Sequence, residues 1–194
     1  MPGGGMNGAM SIQIHLPGWV RDFCARLPAS LDSPEERMRV AISLSEQNVA
    51  HETGGPFGAL VVAAESGRML AVGVNRVEPG NCSAAHAEIV ALSLAQQRLG
   101  YPSLADTPLA PIELVSSCEP CTMCLGAVPW SGVASLLCGA TKADAEAAGF
   151  DEGDRPSRWI EQLERRGITV QTEVLRPAAA EVISRYARLG RSVY

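Results

Sequence analysis

Three absences bound this chain before any motif is read. It has no run of eighteen apolar residues, so nothing in it is expected to cross a bilayer as a helix. It has no basic excess: 16 Lys and Arg stand against 21 Asp and Glu, a formal charge of -5, which counts against a protein whose main task is gripping a phosphate backbone. Residues 1–10 lack the basic start and apolar core of an export signal. The expectation is a cytoplasmic protein with a disordered tail over residues 1–15. Aromatics are sparse at 5%, and the chain has just 3 histidines, His15, His51 and His86, so any site that needs imidazole has few residues to draw on. What is present is a globular composition, 46% hydrophobic, in 194 residues. At about 150 residues per domain that is one domain, expected over residues 16–194.

Periodicity gives an α/β reading. Leu16 to Leu27 reads as a short helix. Ser33-Pro34-Glu35-Glu36 then supplies an N-cap, a proline at N1 and a capping-box Glu at N3, and Met38, Ala41, Ile42, Ser45 and Val49 recur at helical spacing to about Ala50. Gly54 to Gly58 breaks the chain. Residues 59–64 are a continuous apolar run, and Met69 to Asn75 returns after a turn, which predicts an antiparallel hairpin. A helix over Ala85 to Leu99 ends at Gly100. Further along, strands are expected over Ile112 to Ser116, Val133 to Gly139 and Ile168 to Leu175. Helices are expected from Pro120, with Pro129 and Gly132 at its end, and over Lys142 to Ala148, Ser157 to Arg166 and Ala178 to Leu189. Strands alternating with helices argue for a three-layer α/β/α sandwich with a mixed five-stranded sheet, its last two strands parallel. The end of the chain reads as a helix-strand-helix extension.

The chemistry concentrates in cysteine. Of 6 cysteines, Cys118, Cys121 and Cys124 fall within seven residues, and without an export signal they read as thiols or metal ligands rather than disulfides. Cys121-Thr122-Met123-Cys124 has C-x-x-C spacing, which on a helix puts both sulfurs on one face, and a helix N-terminus favours thiolate. A catalytic zinc site takes three protein ligands and leaves a position for water. His86 is the candidate third ligand because Glu88 stands two residues on, where a carboxylate can act on water. On an ideal helix those two positions point about 200° apart, so His86 must lie at an irregular first turn. A closed structural site with Cys118 as fourth ligand remains the alternative, since Cys118-Glu119-Pro120-Cys121 repeats the spacing. Cys24, Cys82 and Cys138 read as small buried hydrophobes.

His86-Ala87-Glu88 followed by Pro120-Cys121-Thr122-Met123-Cys124 is the H-x-E…P-C-x-x-C signature of zinc deaminases. With Gly54 to Ala59, Ala85, Ser117 to Glu119, Leu125-Gly126-Ala127, Trp130 and Ala147 to Glu152, the chain resembles bacterial guanine deaminases of the cytidine-deaminase-like superfamily over roughly residues 33 to 155. The resemblance implies one Zn2+ per chain on His86, Cys121 and Cys124, and hydrolytic deamination of a free base. Guanine to xanthine and ammonia is foremost, with ammeline or a related aminotriazine as a further substrate. Glu88 deprotonates a water that the metal has made acidic, and Glu152, where many relatives carry Asp, shuttles protons and holds the base. Asn75 supplies a base-binding amide, Ala87 a substrate contact, and Phe57, Trp130 and Phe150 aromatic packing. For Trp130 core packing stands beside that role. The family's habit of exchanging C-terminal segments in a homodimer assigns Tyr194 to the partner's site. Two other readings stand beside this one: adenosine deamination in tRNA, which needs basic clusters, and a structural zinc module without catalysis. The helix before Ser33, the loop from Tyr101 to Pro111, Pro129 in place of an aromatic and the chain beyond Asp154 depart from the pattern.

Overall fold

The structure is a computed structural model that describes residues 12–193. Most of the tail expected over residues 1–15, and Tyr194, therefore lie outside the described residues. Two helices open the described chain, α1 (Trp19–Ala25) and α2 (Pro34–Ala50). The predicted capping box closes α2: Ser33 Oγ accepts from the Glu36 N–H at 3.2 Å, and Glu36 Oε2 accepts from the Ser33 N–H at 3.2 Å. The hairpin β1 (Gly58–Ala63) and β2 (Met69–Val74) follows, then a single turn α3 (Val77–Gly80) and helix α4 (Ala87–Leu99). Strand β3 (Ile112–Cys118), helix α5 (Thr122–Ser131), strand β4 (Ser135–Ala140), helices α6 (Lys142–Ala147) and α7 (Trp159–Glu164), strand β5 (Thr169–Gln171) and helix α8 (Arg176–Arg188) complete the order.

The strands form one five-stranded sheet in the order β2-β1-β3-β4-β5. The β1 strand pairs antiparallel with β2 and β3, whereas β3–β4 and β4–β5 are parallel. The expected mixed sheet is thus observed, and its alternation explains why β1 is buried throughout. Leu60 and Val62 point into a core shared with α2 and α8, while Ala59 and Val61 point into a second core shared with α4, α5 and α7.

Several boundaries differ from the sequence reading. Strand β5 is shorter than expected because Glu173 (φ 63°) and Leu175 (φ 52°) take left-handed conformations that no strand contains. The first helix begins three residues late. The α5 helix begins at Thr122 rather than Pro120, since Cys121 is its N-cap with an extended backbone, and Gly132 (φ 78°) closes it past Pro129. Cys138 is buried as expected, but Cys24 and Cys82 are only half-buried. Among the described residues no helix is long and apolar enough to cross a membrane.

Two polar ties lock the layers. Arg37, 8% exposed, donates from Nε to the Leu31 carbonyl (2.9 Å), from Nη1 to Glu113 Oε2 (2.9 Å) and from Nη2 to the Ala64 carbonyl (3.0 Å). Removing it leaves a carboxylate and two carbonyls without their partner in a dry place. We expect Arg37→Met to lower unfolding free energy by about 3–5 kcal/mol in denaturant titrations. On the other side Asp144, the N3 residue of a capping box on α6, accepts from Arg176 Nε and Nη2 at 2.9 and 3.1 Å. The Arg176 hydrogen bonds, set against partial desolvation and helped by Thr141, hold its carboxyl at about 2, below the ordinary value of 3.8. A depressed folded pKa stabilises above the unfolded value and is lost on the way down to the folded one. Asp144→Asn should therefore melt below wild type at pH 7, with the gap narrowing as pH falls from about 4 toward 2. An equal gap at pH 7 and pH 3 would contradict this.

Candidate active site

Two helix N-termini meet beside the ends of β2 and β3. His86 is the N-cap of α4, its backbone extended (φ -68°, ψ 155°), and Cys121 is the N-cap of α5 (φ -63°, ψ 171°). The irregular first turn that the His-x-Glu spacing demanded is thus a residue just outside the helix, with Ala87 and Glu88 opening α4. The Cys121 sulfur caps its helix by accepting from the Cys124 N–H at 3.5 Å, and lies 3.5 Å from His86 Nδ1. The ligand atoms of His86, Cys121 and Cys124 all lie within 4.8 Å of one another. Both macrodipoles put positive charge here, which favours thiolate and carboxylate.

The donor set suits a zinc ion. Cys121 is lowered to about 4, chiefly by a hydrogen bond from Cys124 and against burial, with His86 adding to the effect, while the same Cys124–Cys121 bond and then burial raise Cys124. Cys121 thus gives up its proton readily beside a Cys124 that holds its own, and a cation bound here would favour the thiolate of both. His86 is raised because its Cys121 contact and nearby carboxylates outweigh burial, the largest single influence, which lowers it. Cys118 does not join the cluster: it is buried at the end of β3 with its thiol toward the Thr141 carbonyl, 3.6 Å away. Among the described residues the ligand group is therefore one imidazole and two sulfurs, not the four of a closed site.

One pocket is lined by Phe57, Asn75, His86, Glu88, Glu152 and Phe150, with Cys118, Glu119, Cys121 and Asp151. Glu88 is 6% exposed and Glu152 7%. Burial raises both; Glu152, with further repulsion from Cys121 and Glu88, is pushed up to about 8. Asn75 is 1% exposed and half satisfied. Its Oδ1 accepts from the Val77 N–H at 3.2 Å, the turn role a loop asparagine commonly plays, but Nδ2 has no partner. An orphaned buried donor beside a pocket is costly unless a ligand uses it. Phe57 and Phe150 pack edge to face, ring centres 4.9 Å apart. Ala87 is fully buried at the start of α4.

Trp130 is not among the residues of this pocket and is not in a core: it is 82% exposed on α5. It sits nine residues past the cap, where a helix has carried the chain well away from the metal ligands. Sequence reasoning also missed Asn48. This α2 residue is fully buried and donates from Nδ2 to the Asn75 carbonyl at 3.0 Å and the Gly55 carbonyl at 2.8 Å, fixing the segment that carries Asn75. Its sequence signal was a polar side chain one turn along the apolar face from Ser45.

Residues 31–140 match the family model for the cytidine and deoxycytidylate deaminase zinc-binding region. The chain belongs to that deaminase family. With its group of three ligands, the chain is thus a zinc-binding, hydrolytic deaminase and not a purely structural zinc module. Relatives narrow the comparison. Solved structures of a guanine deaminase from Nitrosomonas europaea include one in complex with 2,6-diaminopurine, 48% identical with a TM-score of 0.88, covering 95% of this chain and 96% of that one. Guanine deaminase of Bacillus subtilis is 39% identical over 61% of this chain and 71% of its own length. A tRNA-specific adenosine deaminase of Buchnera aphidicola is more distant, 30% identical over 75% of this chain and 89% of its own length.

Proposed function

We propose that this deaminase acts on a free aminated purine, guanine foremost, replacing the exocyclic C–N bond with C–O to give xanthine and ammonia from one water. The observation that carries the reading is the unpartnered Asn75 Nδ2 in the same pocket as Glu88 and the His/Cys/Cys group. Such a donor suits an acceptor on a ring edge. Similarity to guanine deaminases, two of whose structures hold 2,6-diaminopurine and 8-azaguanine, supports the same substrate class.

His86, Cys121 and Cys124 would hold zinc, which supplies the Lewis acidity that makes a water ionise near neutral pH. The remaining work belongs to the chain. Glu88 takes one proton from the attacking water and gives it to the ring nitrogen as the C–O bond forms, then carries the second proton from the new hydroxyl to the amine as the C–N bond breaks and ammonia leaves. Glu152 lies in the same pocket, placed to exchange protons with that amine. Asn75 Nδ2 donates to the ring, and Phe57 and Phe150, packed on each other, form one apolar wall of the pocket beside it. Ala87, fully buried and not among the residues that line the pocket, is the spacer that sets His86 and Glu88 two residues apart.

Adenosine in tRNA is the second candidate substrate, and a specific observation disfavours it. The arginines near the C-terminus that a phosphate backbone would need are already paired, Arg185 with Glu46 (3.7 Å), Arg188 with Glu181 (2.6 Å) and Arg191 with Glu52 (2.8 Å). Incubating zinc-loaded protein with guanine, ammeline, isocytosine, cytosine, adenine and a tRNA anticodon stem-loop, while following ammonia, tests the assignment. Guanine should turn over fastest; turnover of the stem-loop alone would overturn it.

We further propose a homodimer that uses the outer face of α5. That helix contains no charged residue, and Met123 and Trp130 are 41% and 82% exposed, with exposed Gly126 between them on the same face. A contiguous apolar stripe of this kind marks an interface. Wild type should sediment as a dimer and Trp130→Glu as a monomer; a monomeric wild type at micromolar concentration would refute this. The exchanged C-terminal aromatic expected at Tyr194 remains part of the same proposal.

A further inference from the structure

Arg155 is not one of the pocket-lining residues, yet it bonds to the segment that carries a metal ligand. Its Nη2 donates to Glu119 Oε2 at 2.7 Å, and Nη1 donates to the Pro120 carbonyl at 3.3 Å. The two charged side chains are 9% and 10% exposed, and the guanidinium carbon lies 4.6 Å from the centre of the Trp159 ring. The partner is itself fixed: Glu119 Oε2 also accepts from the Lys142 N–H at 2.9 Å, and the Glu119 N–H donates to the Ala140 carbonyl at 2.8 Å. One carboxylate thereby joins the end of β3 to the start of α6.

The other segment is that of Glu152. Its carbonyl accepts from the Thr122 N–H at 3.0 Å and from Thr122 Oγ1 at 3.2 Å. The Gly153 carbonyl accepts from Lys142 Nζ at 2.6 Å and from the Arg155 N–H at 2.9 Å. Two stretches that meet at the pocket, residues 119–122 and 150–155, are thus laced together, and the Arg155 side chain closes the lacing.

A buried ion pair is a poor device for stability alone, because desolvation consumes most of its Coulomb energy. A guanidinium does something an apolar side chain cannot: its rigid fork fixes two acceptors at once. The second acceptor here is the carbonyl of the peptide that enters Cys121, so its orientation sets the backbone angle at which the Cys121 sulfur is presented.

We propose that Arg155 is a positioning residue, which through the Glu119 carboxylate and the Pro120 carbonyl holds the Cys121 turn in register with the Glu152 segment. The roles of Cys121 and Glu152 rest on the function proposed above; the tie itself does not. The test compares wild type, Arg155→Lys and the double variant Arg155→Gln with Glu119→Gln, which buries no unpaired charge. Three quantities are read: melting temperature, zinc affinity by chelator competition, and kcat and KM on guanine. The double variant should melt within a few degrees of wild type, bind zinc about 10- to 100-fold more weakly, and lose kcat more than it changes KM. Arg155→Lys, which keeps the charge but not the fork, should fall between the two. Wild-type zinc affinity in the double variant overturns the proposal; if that variant does not fold, wild-type affinity in Arg155→Lys overturns it. A protein that deaminates no free base but shows the zinc shift keeps this inference and loses the substrate assignment.

Discussion

Glu88→Gln should lower kcat by about 10³-fold while zinc stays bound. Glutamine matches glutamate in shape, so the packing of a side chain that is 6% exposed survives. The ligands His86, Cys121 and Cys124 are untouched, and metal content should stay near one ion per chain. What disappears is a group able to take a proton and return it. General acid–base catalysis is worth about 10²–10⁴ in rate, and in the proposed mechanism one carboxylate serves both directions of transfer, which puts the loss near the middle of that range. A substrate analogue should bind the variant about as tightly as wild type. Turnover retained within tenfold would remove Glu88 from the mechanism, and zinc lost along with turnover would make it a structural residue instead.

Gly73→Ala should damage both stability and turnover although residue 73 touches neither metal nor substrate. At Gly73 the β2 strand passes so close to α4 that a Cβ would stand 2.1 Å from the Ala87 carbonyl oxygen and 2.6 Å from the Ala91 nitrogen. Both are backbone atoms, so no side-chain rotation relieves the overlap. The helix must move away from the sheet at its first turn, the turn that begins with His86 and carries Glu88. Overpacking of this kind costs about 1–3 kcal/mol, and for a chain of this size each kcal/mol is about 2–4 °C in melting temperature. A misplacement on the order of 1 Å costs about 10²-fold in rate. The expected result is a folded protein melting roughly 5–10 °C low, with kcat down about a hundredfold. Wild-type values for both would mean that the strand, not the helix, gives way.

The features legible in the sequence were those encoded in short, continuous stretches of chain. The Ser33 capping box, the hairpin of β1 and β2, the αL glycines at 100 and 132, and the Cys121–Cys124 spacing all state local geometry, and each appears where its residues stand. The misreadings share a cause of the opposite kind. Trp130 takes aromatic packing from the family resemblance, with a core role beside it, yet it lies on the exposed face of α5 outside the pocket, because which face of α5 meets the sheet depends on where β3 and β4 lie. Cys24 and Cys82 were assigned to the interior on residue type, which says what can be buried rather than what is. The end of β5 falls earlier than its composition suggests because Val174 and Leu175 continue a strand-like pattern past Glu173, where the backbone has already turned left-handed.

By itself the sequence carried the motif, one histidine with a glutamate two residues on and two cysteines three apart behind a proline, and with it the deaminase family. It also determined a sheet with helices on both faces, because buried strands must be covered. Only the tertiary structure decided that His86 and Cys121 are both helix caps turned toward one point, that the Asn75 amide is left without a partner, and that Asn48 and Arg155 hold the segments around them. The physical reason is distance along the chain. Caps and turns are settled by hydrogen bonds between near neighbours, whereas Arg155 and Glu119 stand 36 residues apart and Asn48 and Asn75 stand 27 apart, and such contacts exist only once the sheet has brought their segments together.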